Sequence, residues 1–220
     1  VLSMPRGAAV IYPKDASRIA MLTGLRPGWR VLEAGAGSGA LTCTLLQTVG
    51  ETGRVESVER RADFAETARA NVRRWFGGEP EAWQLHIGDF ADRPWSSGAP
   101  FDALVLDMLD PWEHVDAAAA ALRPGGVLVV YVATTTQLSR IAEDLRSDGR
   151  WTEPRAEESL VRTWHLEGLA VRPDHRMIGH TGFLLTSRRL AEGTVAPPRR
   201  RRPAKAAATQ GESIAETDGA

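Results

Sequence analysis

A glycine-rich turn and four carboxylates carry the chemistry that this sequence offers. The turn lies in VLEAGAGSGALT, residues 31 to 42, where Gly35, Gly37 and Gly39 let the backbone bend sharply and come close to a ligand. Residues 35 to 40 also fit the dinucleotide pattern G-x-G-x-x-[GA], with Ala40 last, but a single match of that kind is weak. A phosphate loop is excluded, because no G-K-[ST] follows the glycines. Glu33 stands two residues before the first glycine, giving E-x-G-x-G-x-G. A carboxylate there would repel a pyrophosphate and suits a positively charged ligand segment. Glu59 closes the next apolar run, 20 residues after Gly39, where a carboxylate accepts both hydroxyls of a ribose. Asp89, in HIGDF, is placed to accept a hydrogen bond from an adenine amino group. Ser38 in the turn and Phe90 beside Asp89 complete the candidate ligand-binding set. Asp107 ends a fourth run, FDALVLD.

Strands that alternate with helices must position these groups. Apolar runs at 29–35, 53–59, 83–89, 101–107 and 127–133 read as strands. Amphipathic stretches at 40–50, 61–76, 114–123 and 136–147 read as helices, the first stopped by Gly50 and the third turned by PGG at 124–126. That alternation predicts a parallel sheet with helices on both faces, and such sheets bind ligands at the carboxyl ends of their strands. Two more extended runs, around 159–169 and 180–188, have no clear helix between them. They are expected to pair as a hairpin, which would place an antiparallel strand in the sheet.

With 27 basic and 28 acidic residues the net charge is −1, so no global basic field points to a nucleic acid. Any such surface must be local or shared between subunits. No apolar stretch is long enough to cross a bilayer. Cys43 is the single cysteine, which excludes an internal disulfide and fits a reducing compartment. Its place in a helix predicts packing rather than catalysis. His175 and His180 have no Cys or acid cluster at ligand spacing, so no metal site is expected. From about residue 191 the composition turns to Pro, Ala, Thr, Gly and acids around an arginine run at 199–202, and a disordered tail is expected over 191–220.

The acidic glycine turn with Glu59 and Asp89 in order resembles the class I S-adenosylmethionine-dependent methyltransferases over roughly residues 15 to 190. Within that class, MPRGAAVIYPKDASRIA, LDMLDPWEHV and GHTGFLLTSRRL resemble the tRNA (adenine-58-N1)-methyltransferases, in particular their bacterial homotetrameric, actinobacterial-like branch. The resemblance implies a Rossmann-like, doubly wound, mostly parallel seven-stranded sheet with an antiparallel last strand, spanning a methyltransferase domain at 1–190. It implies S-adenosyl-L-methionine as cofactor, the tRNA T-loop as partner, a homotetramer, a cytoplasmic location, and neither metal nor membrane. It makes Asp107 the catalytic aspartate and Tyr12 an active-site tyrosine, and gives Gly35, Gly37, Glu59 and Asp89 to the cofactor, with Glu33, Ser38, Gly39, Phe90 and Asp107 beside them. Tyr12 and Trp112 are candidates to pack on the target base, with core packing the equal alternative for Trp112, and Asp110 is the rival acid. Arg6, Lys14, Arg172, His175, Arg176 and Arg188 are candidates for phosphate contacts, against the default of solvated surface charge. The resemblance also implies a small β-rich N-terminal domain before PRG, and this sequence starts almost at that stretch. Two other classes stay open at this point: a methyltransferase for a protein carboxylate or small molecule, and a non-catalytic RNA-binding or assembly subunit.

Overall fold

The computed structural model describes residues 3–95 and 98–197. Of the expected tail, residues 198–220 lie outside the described residues. Five strands run parallel: β1 (Arg30–Ala34), β2 (Arg54–Glu59), β3 (Trp83–Ile87), β4 (Phe101–Asp107) and β5 (Leu122–Val132). Helices α1 (Pro13–Thr23), α2 (Ala40–Val49), α3 (Ala62–Phe76), α4 (Val115–Ala121) and α5 (Thr135–Asp148) cover them. Four short strands close the chain: β6 (Arg155–Glu157), β7 (Trp164–Glu167), β8 (Ala170–Pro173) and β9 (Phe183–Arg188). The main sheet has seven strands in the order β3-β2-β1-β4-β5-β9-β6. β9 is antiparallel to both of its neighbours.

Both faces of the sheet are buried, which is why its strands are continuous apolar runs rather than alternating ones. Val31, Ala103, Val105, Val127 and Val129 face one cluster with Ile19 of α1, Leu45 of α2 and Val72 of α3. Leu32, Leu104, Leu106, Leu128 and Val130 face the other, with Ala118 of α4 and Ile141 and Leu145 of α5. Alternate side chains of a strand point to opposite faces, so each strand serves both cores. Cys43 is fully buried, and burial pushes its thiol up to about 12, as packing requires of an inert cysteine.

Three expectations change. The hairpin partner of the last strand is not the run at 159–169. β6, three residues long, pairs with β9 instead, and β7 and β8 pair with each other in a separate two-stranded sheet. The apolar residues of that run, Trp164, Leu166 and Leu169, are exposed there instead of facing the core. The expected helix at 114–123 splits into a 3-10 turn over Pro111–His114 followed by α4, because Pro111 stands at the first position of the turn. PGG lies inside β5, next to an irregularity where Phe101 and Ala103 shift register against it. The segment before β1 holds α1, which begins with a proline at its amino end and ends at Gly24.

The tightest backbone junction lies where the glycine turn enters α2. Gly39 has φ +77°, and a Cβ there would sit 3.1 Å from the backbone of Ala68 in α3. It therefore sets how closely α2 and α3 approach. Gly39→Ala is expected to lower the free energy of unfolding by about 1–3 kcal/mol, measured by urea denaturation; an unchanged midpoint would show that the helices absorb the methyl group.

Candidate active site

A cavity of about 570 Å³ opens at the carboxyl ends of the central strands, a size ordinary for small-ligand sites. Sheet topology puts it there: β1 has β2 on one side and β4 on the other, so Gly35, Glu59 and Asp107 emerge side by side. The Gly35 N–H donates to the Asp107 carbonyl at 3.2 Å, and the Ala36 N–H to the Val58 carbonyl at 2.9 Å. These bonds extend the strand pairing into the turn and fix it over the cavity floor.

Glu59 is oriented by the turn that it faces. One carboxylate oxygen accepts from the Gly37 N–H and the other from the Arg61 N–H, each at 2.9 Å. Each oxygen keeps a second lone pair, which leaves room for a diol. Gly37 has φ +54°, and a Cβ on Gly35 would lie 3.2 Å from Glu59 Oε2. Any side chain at Gly35 would fill the cradle between Glu59 and Asp107. Asp89 lies beyond β3, where one oxygen accepts from the Ala91 N–H at 2.9 Å. Phe90 is buried beside it, stacked on Trp95 and edge-on to His114.

The structure brings Tyr12, Gly35, Gly37, Glu59, Asp89, Phe90 and Asp107 together around one cavity. Glu33 and Ser38 line a narrow recess behind the glycine turn instead, shared with Gly35, Gly37 and Asp107. Gly39 lines neither; its part is the packing against α3. Glu33 is only 1% exposed. One of its oxygens accepts from the hydroxyls of Thr42 and Ser57, each at 2.6 Å, and the other is buried without a partner. Asp110 is exposed at the rim. His114, Tyr131, Gln137 and Thr181 also line the cavity, and sequence reasoning missed them. The register Asp107↔Tyr131 in the β4–β5 pair is the signal that finds Tyr131.

Three further expectations are corrected. Trp112 does not line the cavity: it packs on the core, and the Arg140 guanidinium lies 4.1 Å over its ring. Lys14 is not a surface cation but a largely buried one, bonded to Asp15, Ser159 and Thr181. Arg188 sits at the far end of β9 and donates to the Gly125 carbonyl, at the end of the sheet opposite the cavity. Arg172, His175 and Arg176 are exposed on and after β8.

Burial pushes the Asp107 carboxyl up to about 7, and the nearby Glu59 charge adds to it. Burial also pushes Glu33 up to about 7, opposed by the bonds from Ser57 and Thr42 and reinforced by Asp107 and Glu59. Three acids thus crowd the strand ends where water is scarce, Glu59 and Asp107 on the cavity and Glu33 behind the turn, an arrangement that a cationic ligand would relieve. Together with the diol-ready Glu59 and the glycine cradle, it fits a ligand carrying a ribose and positive charge.

Comparison with known proteins agrees with that chemistry. The family described as "tRNA methyltransferase complex GCD14 subunit" matches residues 1–169. This chain belongs to that family. It is 38% identical over 189 residues to the tRNA (adenine(58)-N(1))-methyltransferase TrmI of Thermus thermophilus, covering 86% of this chain and 72% of that protein. It is 34% identical over 209 residues to the tRNA (adenine(57)-N(1)/adenine(58)-N(1))-methyltransferase TrmI of Methanocaldococcus jannaschii, covering 84% and 73%. Among solved structures it is similar to the tRNA (m1A58) methyltransferase TrmI of Aquifex aeolicus, with a TM-score of 0.77 and 28% identity over 86% of this chain and 73% of that one. The seven-stranded, mostly parallel sheet with an antiparallel strand is that of a class I methyltransferase.

The raised carboxyls give this family member a stability signature. Between about pH 4.5 and 7 the folded chain holds protons on Glu33 and Asp107 that the unfolded chain has released. Stability therefore falls as pH rises through that window, by about 1.4 kcal/mol per pH unit for each proton so held. Urea midpoints from pH 4.5 to 8 are expected to show this fall, and Glu33→Gln to flatten it; equal slopes in both proteins would overturn the assignment.

Proposed function

We infer that this cavity is a methyl-transfer site for N1 of adenine 58 in the tRNA T-loop. The enzyme uses S-adenosyl-L-methionine, which supplies an electrophilic methyl group when bound. The observation that carries the reading is the Asp107 carboxyl: it stands at the cavity floor beside the glycine turn, and no donor among the described residues bonds it. It is free to receive a hydrogen bond from a ligand. Gly35 and Gly37 would admit the cofactor against the backbone, Glu59 would accept its ribose hydroxyls, and Asp89 would accept its adenine amino group beside Phe90. Glu33 and Ser38 would act from behind the turn.

Adenine N1 carries an in-plane lone pair and needs no deprotonation before it attacks. As N1 bonds to the methyl carbon the carbon–sulfur bond would break, sulfur leaving with the bonding pair as a neutral thioether, so the positive charge would pass from the donor to the base. Asp107 in its ionised form accepts a hydrogen bond from the exocyclic N6 and can take that proton, leaving the methylated base neutral. Tyr12 would pack on the base and hold N1 in line. The base has to leave its stack in the folded RNA to reach this floor. The reading extends to a methyltransferase domain over 1–190, a homotetramer and a cytoplasmic setting. The relatives' activities support the tRNA partner, and that partner in turn supports the setting. No helix among the described residues is long and apolar enough to cross a membrane.

The test is to incubate the protein with unmodified tRNA and labelled donor and to map methylated nucleosides. N1-methyladenosine is expected at the T-loop position; methyl groups on protein carboxylates or elsewhere in the RNA, or none, would overturn the reading. Asp107→Asn is expected to lower kcat by ~10²–10³-fold while the donor's Kd, from calorimetry, changes little. The wild-type kcat/KM should rise with pH through about 7, as the carboxyl ionises, and this limb should vanish in Asp107→Asn. Glu59→Ala is expected to weaken donor binding by ~10–100-fold; unchanged affinity would remove Glu59 from the ribose.

A further inference from the structure

Lys14 and Asp15 are adjacent in the sequence, and both turn inward. Asp15 is 0% exposed and Lys14 10% at the side chain. The Lys14 ammonium donates to Asp15 at 2.8 Å, to the Ser159 carbonyl at 2.7 Å and to the Thr181 hydroxyl at 2.6 Å. Asp15 also accepts from the hydroxyls of Ser159 at 2.7 Å and Thr181 at 2.6 Å. The two charges thus grip residues 159 and 181, the two ends of the excursion that carries β7 and β8.

One end of that grip is a wall of the cavity. Thr181 lines the cavity, and its carbonyl accepts from the Tyr131 hydroxyl at 2.7 Å. Gly182 makes the fit possible, since a Cβ there would lie 2.4 Å from the Tyr131 ring. Tyr131 stands opposite Asp107 in the β4–β5 register. On the other side, α1 starts at Pro13, directly after Tyr12, and the Asp15 and Ala16 N–H groups donate to the Tyr12 carbonyl. The pair therefore ties together Tyr12, Thr181 and Tyr131, all on the wall around Asp107.

We propose that Lys14 and Asp15 are positioning residues for the methyl-transfer site, fixing the Tyr12–Tyr131 wall on which the target adenine is seated. The proposal rests on the reading of the cavity given above. A buried ion pair is a poor source of stability compared with apolar packing of the same volume. Its directional bonds instead hold both chain ends in a single geometry. Two apolar residues would join α1 to this segment without aiming Thr181 at Asp15 or its carbonyl at Tyr131. Gly35, Glu59 and Asp89 follow β1, β2 and β3, on the other side of β4 from β5 and β9, which carry Tyr131 and follow Thr181, so disturbing the clamp should separate turnover from donor affinity.

The experiment compares Asp15→Asn, Thr181→Val and Thr181→Ser with Leu145→Ala, a core change remote from the cavity. Asp15→Asn and Thr181→Val are expected to lower kcat on tRNA at least tenfold, with the Kd for S-adenosylhomocysteine within about twofold of wild type. Thr181→Ser, which keeps the hydroxyl, should recover most of the loss. Amide exchange over 159–181 should accelerate in Asp15→Asn. Leu145→Ala should lower Tm without a comparable fall in kcat at 25 °C. Losses in kcat that follow Tm alike in all variants, or a Thr181→Ser as impaired as Thr181→Val, would overturn the proposal. If Asp15→Asn does not fold, the two Thr181 variants decide. If wild-type protein makes no N1-methyladenosine, it is the reading of the cavity that fails; exchange over 159–181 that stays at the wild-type rate in Thr181→Val would then overturn the clamp itself.

Discussion

Carboxylates held close together where water is scarce are the constraint on which the rest of this structure depends. Glu33, Glu59 and Asp107 belong to three neighbouring strands, and the strand order β2-β1-β4 gives them no choice but proximity. Lost hydration and the neighbouring charges oppose the ionisation of Glu33 and Asp107. The chain meets this in two ways. Glu33 is surrounded by the hydroxyls of Thr42 and Ser57, and Glu59 is held by the N–H groups of Gly37 and Arg61. Asp107 receives no comparable support and lies on the cavity floor. The least compensated of the three acids is the one best placed to act on a ligand.

The same constraint explains why the cores on both faces must be so apolar. A carboxyl pushed up to about 7 destabilises the folded state at neutral pH, and burial of apolar surface has to offset it. Val31, Val105 and Val129 on one face, and Leu32, Leu104 and Leu128 on the other, are completely buried in the strands that carry the acids or flank them. Glu33 shows how far the placement is forced. It is a strand residue with a strand residue's alternation, so its side chain enters the α2 face whatever its charge. Thr42 in α2 and Ser57 in β2 are there to receive it.

Much of this was legible in the sequence, for physical reasons. The parallel strands announced themselves because both faces are buried, and their ends followed from where the apolar runs stop: Asp107 closes β4 as expected. The glycine turn with Glu59 and Asp89 located the cavity, while Glu33 sits behind the turn. After α5 the antiparallel strand at the 180–188 run was legible, but the segment before it was not. Apolar residues there suggested one strand paired with the last, but Trp164, Leu166 and Val171 are exposed on a separate hairpin, and a periodicity argument assumes that apolar residues are buried in their own chain. For Trp112 the sequence left core packing and base contact open, and the core took it, with Arg140 over its ring, a long-range contact that no local pattern records.

Lys14 failed in a more instructive way. A lone lysine reads by default as solvated surface charge, and composition cannot say otherwise. What makes it internal is the return of the chain 145 and 167 residues later, when Ser159 and Thr181 arrive with hydroxyls and a carbonyl. Those groups replace the water that both charges lose. The IYPKD block and GHTGF are therefore two halves of one construction, the first supplying the charges and the second their partners. Neither half has a reason to be charged or polar by itself. Taken together they put Tyr12 and Tyr131 in the cavity that holds Asp107, which suits a flat base on which positive charge grows as it is methylated.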